Sequence, residues 1–187
     1  MLNSDLLNKH CKVVMVVGHD NRYAIGKNGD LIVVDKSDMR WFKRFTTGHI
    51  CIVGKNTYEE VCDLPDRIWI CMTNDVELHT DPNIETASSL NDAISKARSL
   101  TTLHHRGDII LAGGAQTYNC ALEADMVDEI WATVHPFDGN GDIVINPYDQ
   151  DGRFVLVEAY PLYDSDATFT TDQKDVPMVK HYVRKRV

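Results

Sequence analysis

Asp38 is the residue of this sequence whose neighbours least resemble those of a surface acid. It lies near the start of Ser37–Phe45, SDMRWFKRF, which reads as a short amphipathic helix with Ser37 as its N-cap. At about 100° per residue, Asp38, Phe42 and Phe45 share one face, flanked by Met39 and Trp41. A carboxylate in an apolar stripe is costly to bury without a partner. So placed, it is suited to proton exchange. The plainer alternative is a first-turn acid that interacts with helix amides, and the pattern alone leaves both open. A second chemical feature is Gly113-Gly114, which follows an apolar strand and opens a helix. Exposed amides at such a helix start favour a pyrophosphate, although Gly-Gly is also a common turn.

The elements that must position these residues follow from apolar patterning. Lys12–Gly18, Ile50–Val53, Ile68–Met72 and Asp108–Ala112 are short apolar runs, the pattern of strands covered on both faces. Ile84–Thr86 reads as a short strand and Glu129–His135 as another. Helices are expected over Lys55–Cys62, over Ser88–Arg98 with Ser88 as cap, and over Ala115–Leu122. Leu90, Ile94 and Ala97 form the apolar face of the second of these. Arg153–Pro161 and Val179–Lys185 read as a closing antiparallel pair, joined by the polar stretch Tyr163–Val176. His19–Lys36 reads as a long loop, and Leu100–Gly107 as a polar connection. The alternation predicts an α/β fold: a mostly parallel central sheet, helices on both faces and an antiparallel C-terminal edge. Gly18, Gly54 and Ala112-Gly113-Gly114 fall at the carboxyl ends of strands, where such sheets bind ligands.

The 187 residues suffice for one domain with its own core, expected over residues 11–187 after a loosely ordered extension at 1–10. Twenty-eight acidic against 19 basic residues argue against nucleic acid or an anionic membrane as a general partner. Five cysteines, with no Cys-x-x-Cys pair, indicate neither zinc nor a disulfide framework. Free thiols, a polar start and the lack of a long apolar run give a cytoplasmic reading. His104-His105 reads as part of a solvated loop, so no metal site is expected.

The run Ala24–Val61 resembles the N-terminal half of a dihydrofolate reductase. It carries Ile25-Gly26, a loop, Asp38 with Trp41-Phe42-Lys43, and then Gly54-Lys55-Asn56-Thr57-Tyr58. Leu64-Pro65-Asp66-Arg67, Ile109–Tyr118 and Trp131–Asp142 resemble later family segments, in the family's order. The resemblance implies hydride transfer from NADPH to C6 of dihydrofolate, with a proton reaching N5, in support of one-carbon metabolism. One carboxylate can accept hydrogen bonds from the adjacent amino and N–H groups of a pterin. Asp38 is thereby the implied catalytic acid, and Thr133 supports it. Val16, Val17 and Ala112 would line the pterin pocket. Met39, Phe42, Val61 and Leu64 would hold the aminobenzoyl part, and Arg67 the glutamate carboxylate. Gly18, Ile25, Leu31, Gly54, Lys55, Asn56 and Thr57 would face the cofactor. So would Thr73, Asn74, Gly113, Gly114, Ala115, Gln116, Thr117 and Tyr118. A cis peptide is implied at Gly113–Gly114. Antifolates are the implied inhibitors, and a monomer the implied state.

The chain departs from the family pattern at several positions. Ile32-Val33 stand where the family commonly has Pro-Trp, whose Trp orders a water near the acid. Asp66 replaces a glycine. Lys55 replaces an arginine beside the 2′-phosphate, Asp75 follows Thr73-Asn74, and Gln116 takes an often basic place, so NADH competes as the cofactor reading. Two further functions share these features: a pyrimidine reductase of riboflavin synthesis, and a folate- or nucleotide-binding protein without catalysis.

Overall fold

The branched apolar runs become the inner strands of a single large sheet. The computed structural model describes residues 11–82, 84–104, 107–163 and 176–185. The expected extension at 1–10 and most of the Tyr163–Val176 connection lie outside them. In chain order, the first strand is β1 (Val13–His19), followed by the small strands β2 (Ala24–Lys27) and β3 (Asp30–Leu31). Helix α1 (Lys36–Thr46), strand β4 (Ile50–Gly54), helix α2 (Lys55–Val61) and strand β5 (Ile68–Met72) come next. Then follow α3 (Val76–Thr80), β6 (Glu85–Ala87), α4 (Leu90–His104), β7 (Ile109–Gly113) and α5 (Ala115–Glu123). The chain closes with β8 (Glu129–Val134), β9 (Ile143–Val144), β10 (Phe154–Pro161) and β11 (Met178–Arg184).

The described residues form an eight-stranded sheet in the order β10-β11-β8-β1-β7-β4-β5-β6. From β8 to β6 every neighbouring pair is parallel. β11 runs antiparallel to β8 and to β10, so the C-terminal edge is antiparallel as expected. The two faces carry separate apolar clusters. On one, Leu90, Ala93, Ile94 and Ala97 of α4 and Tyr118, Ala121 and Leu122 of α5 cover Met15, Ile52, Ile70 and Leu111. On the other, Trp41, Phe42 and Phe45 of α1 cover Val14, Val16, Cys51 and Ile110. No helix among the described residues is long and apolar enough to cross a membrane.

Four local readings need correction. Helix α1 is capped by Asp35, not Ser37: one Asp35 oxygen accepts from the amides of Ser37 at 2.7 Å and Asp38 at 3.4 Å. Helix α4 starts two residues later than read, at Leu90, with Ser89 rather than Ser88 accepting from the Asp92 amide. It also runs on to His104 through residues read as a connection, because Thr101 is buried on its inner face. His104 is thus helical and exposed, while His105 lies outside the described residues. The long loop after β1 contains β2 and β3, and β2 pairs with β3 on one side and β9 on the other in a separate three-stranded sheet. Strands this short carry too little pattern to be read in advance.

The end of β1 is tied down by a buried pair of polar side chains. Asp20 accepts from the amides of Arg22, Ala24 and Gly139, so one carboxylate joins β1, β2 and the segment after β8. Burial opposes its charge, but those three amides hold its carboxyl below the usual range. His19 contacts the Asp20 carbonyl and the Tyr148 hydroxyl, and burial keeps its ring below the usual imidazole range. Both groups prefer to fold in the form that dominates at neutral pH. Their contributions are complete above the unfolded-chain values, about 6.5 for His and about 4 for Asp, and are lost as pH falls. The urea midpoint should therefore drop in two stages as pH falls, the first below about 6.5 and the second below about 4, and His19→Gln should flatten the first.

Candidate active site

Asp38 projects from the first turn of α1, whose amides are already capped by Asp35. Its carboxylate is therefore free of the first-turn role that the sequence also allowed. Oδ1 accepts instead from Thr133 Oγ1 of β8 at 2.6 Å. Thr133 is fully buried, and it sits beside Gly18 in the parallel register of β8 and β1. Gly18 leaves room for the acid: a Cβ there would lie 2.7 Å from Asp38 Oδ2. The side chain of Asp38 remains 23% exposed, on the wall of a cavity of about 330 Å³.

That inner cavity brings together most of the residues expected to hold a heterocycle. Val16, Val17 and Ala112 line it from the sheet. Met39 and Phe42 come from α1, and Val61 and Leu64 from the end of α2 and the turn after it. Gly18, Gly113 and Tyr118, read as cofactor contacts, line this inner cavity rather than the outer cleft. Tyr118 donates to the Val16 carbonyl at 2.7 Å, which fixes the sheet end beneath the acid. Ile32 and Val33, at the Pro-Trp position, also face this space.

A second, outer cleft of about 600 Å³ opens next to it. The start of α2 supplies Gly54, Lys55, Asn56 and Thr57, and the start of α5 supplies Gly114, Ala115, Gln116 and Thr117. Thr73 and Asn74 complete its far wall. Ile25 and Leu31 line both spaces, as do Thr57, Glu60 and Gly114. The Gly113–Gly114 peptide is cis, as implied. With no side chain at either glycine, Thr57 packs against this peptide: a Cβ on Gly113 would lie 2.8 Å from Thr57 Cγ2.

Two basic residues stand differently from expectation. Lys55 is engaged by Asp75 at 2.7 Å, and that acid also caps α3. The pair lowers the carboxyl of Asp75 and raises the ammonium of Lys55, each mainly through their mutual hydrogen bond. Arg67 lines neither space. Its Nε donates to Thr46 Oγ1 at 2.8 Å, and Nη2 to Thr47 Oγ1 at 3.1 Å and to the Lys43 carbonyl, while Nη1 reaches the Pro65 carbonyl. Three of its five N–H groups thus staple the end of α1 and a fourth its own turn, which leaves one rather than a free fork. Asp66 beside it adopts φ +62°, the left-handed conformation for which the replaced glycine is suited.

The sequence reading missed Asp35 and His135, both close to the acid. Asp35 lines the inner cavity, and His135 is buried behind Asp38. Neither sits in an apolar helix stripe, so no periodic signal marks it.

The family model described as dihydrofolate reductase matches residues 12–174. The chain belongs to the dihydrofolate reductase family. The dihydrofolate reductase of Enterococcus faecium is 29% identical over 143 residues, 75% of this chain and 81% of that protein. The type 1 dihydrofolate reductase of Escherichia coli is 24% identical over 149 residues, 80% of this chain and 90% of that one. In fold, the chain resembles the structure of dihydrofolate reductase from Enterococcus faecalis complexed with NADP(H) and RAB-propyl. The TM-score is 0.73 at 20% identity, over 94% of this chain and 97% of that one.

Two outcomes are expected. Thr133→Val removes a hydrogen bond to a charged group, worth roughly 1.5–3 kcal/mol, and should lower kcat by about ten- to hundredfold in steady-state assays. Asp75→Asn frees Lys55 and should lower KM for NADPH severalfold with KM for NADH little changed.

Proposed function

We propose that the chain reduces 7,8-dihydrofolate to tetrahydrofolate with NADPH, by hydride transfer to C6 and protonation at N5. One observation supports this above the others: Asp38 faces an apolar cavity that shares a wall with a polar, amide-rich cleft. The acid side and the cofactor side of the reaction then meet at Ile25, Leu31 and Gly114.

The outer cleft suits a phosphorylated dinucleotide. The start of α5 offers backbone amides beside a side-chain-free glycine, the arrangement that favours a pyrophosphate. Lys55 and Asn74 would meet the 2′-phosphate, with Asp75 giving up its hold on Lys55. NADPH supplies the hydride when bound there.

The chain's own residues do the rest. Asp38 keeps one oxygen on Thr133 and presents the remaining lone pairs of both oxygens to the cavity. Those lone pairs accept from the amino and ring N–H groups of the pterin, which fixes the ring in its plane. The proton for N5 passes by way of the Asp38 side of the cavity, and the apolar walls keep bulk water from the hydride path. Met39, Phe42, Val61 and Leu64 hold the aminobenzoyl part. Arg67 acts on the glutamate carboxylate through its charge and its remaining N–H, a single-point contact. An antifolate with the same planar donor pair should compete for Asp38.

The reading is tested by NADPH oxidation at 340 nm with dihydrofolate, with and without an antifolate. Asp38→Asn should fold and bind NADPH while kcat falls by about two orders of magnitude or more at neutral pH, as expected for loss of acid–base catalysis. Undiminished turnover in that variant would remove Asp38 from the mechanism. Antifolate binding without turnover in the unmutated chain would favour a non-catalytic binding protein.

A further inference from the structure

His135 follows β8 and is 2% exposed. Its ring lies between two carboxylates. Nε2 is 3.8 Å from Asp38 Oδ2, and Nδ1 is 3.9 Å from Asp35 Oδ2. Among the described residues Nε2 makes no hydrogen bond, although it is buried. A buried ring nitrogen without a partner is costly, so its retention beside an acid calls for a reason.

We infer that His135 is a second positioning residue for Asp38, holding Oδ2 from the flank opposite Thr133. This inference rests on the reading of Asp38 as the acid of dihydrofolate reduction. A carboxylate has about four lone-pair sites. Thr133 takes one on Oδ1, and His135 takes one on Oδ2. One on each oxygen then stays open toward the cavity, the number a planar two-donor ligand needs. The present 3.8 Å is just beyond a direct hydrogen bond. Such contacts are often long in unliganded sites and tighten when substrate binds.

The surrounding charges fit this role. Two acceptors face two ring nitrogens, and only the doubly protonated ring donates from both. From α1 come Asp35 and Asp38. From β1 comes His19, whose nitrogens are engaged by the Asp20 carbonyl and the Tyr148 hydroxyl, while its own carbonyl accepts from the His135 amide at 2.8 Å. Asp20 is turned toward the amides of Arg22, Ala24 and Gly139. Phe137 closes the far side, its ring 6.4 Å from that of His135. Asp35 has its other oxygen committed to the helix cap, so the bridge ties the start of α1 to the end of β8. An N–H at Nε2, supplied by the doubly protonated ring or by the Nε2–H tautomer, favours the charged form of Asp38.

The test is the pH dependence of kcat with dihydrofolate and NADPH, with melting temperature recorded for each protein. The unmutated chain should lose turnover as pH rises. Total inactivity there would overturn the reading of the reaction itself, not of His135. His135→Ile should move the midpoint up by about half a unit or more, because the anion at Asp38 loses a stabilising neighbour. His135→Gln keeps an N–H near Oδ2 and should fall between the two. Asp35→Asn keeps the helix cap but removes both an acceptor facing Nδ1 and a like charge near Asp38; these act in opposite directions on the midpoint, so its shift should be smaller than that of His135→Ile. An active series with the original midpoint in both His135 variants, whatever the melting temperatures, overturns the inference. Should His135→Ile not fold, His135→Gln decides it by the same criterion.

Discussion

A carboxylate resting on a glycine is the constraint around which this molecule is arranged. Asp38 lies directly over Gly18, and its Oδ1 is anchored by Thr133 on the neighbouring strand. Three separate elements, β1, β8 and α1, must meet within a few ångströms for that to happen. The parallel register of β1 and β8 sets Gly18 opposite Thr133. The apolar face of α1 then presses the helix onto the sheet through Trp41 and Phe45. Any side chain at residue 18 would push the acid away, and any slip of β8 would remove its partner. Packing on both sheet faces therefore serves the placement of one charged group. The energetic logic is that of a buried acid in general: it is tolerated because it is hydrogen-bonded, and it is useful because it is not fully occupied.

Much of the fold was legible because its inner strands are continuous apolar runs. Ile68–Met72 was readable to the residue, and the alternation of strands with helices implied the parallel sheet. What escaped was decided by tertiary contacts. Ser37 and Asp35 are equally plausible caps in sequence, and the geometry chose the acid whose oxygen reaches two amides. The α4 extension rests on Thr101, a polar residue buried against the helix's inner side. Strands β2, β3 and β9 exist because they pair with one another, not because their own residues demand it. In the site, Asp38 was visible as an acid out of pattern. His135 and Asp20 were not, since a lone His or Asp between loops carries no periodic signature. Their meaning appears only when segments far apart in the chain are brought together.

The outer cleft illustrates how charge is kept in balance on an acidic chain. Lys55 does not stand free to meet a phosphate: Asp75 pairs with it while capping the next helix. That pair is solvent-exposed, so its own contribution to stability is small. Its effect falls on discrimination, because an anion entering the cleft competes with a side chain rather than with water alone. Arg67 is similarly committed, bracing the last turn of α1 with most of its donors. Lys55 and Arg67 are thus both embedded in structural duties before any ligand arrives.

The two spaces are not insulated from one another. Ile25 and Leu31 belong to the wall of both, on a small sheet held by the Asp142 carboxylate against the Asn28 amide and by pairing with β9. A molecule that contacts these residues from one side acts on part of the wall that a molecule on the other side meets. Any coupling through them is reciprocal by thermodynamic necessity, so each occupant changes the affinity of the other by the same factor. A dissociation constant for either space therefore has meaning only with the concentration of the second ligand stated.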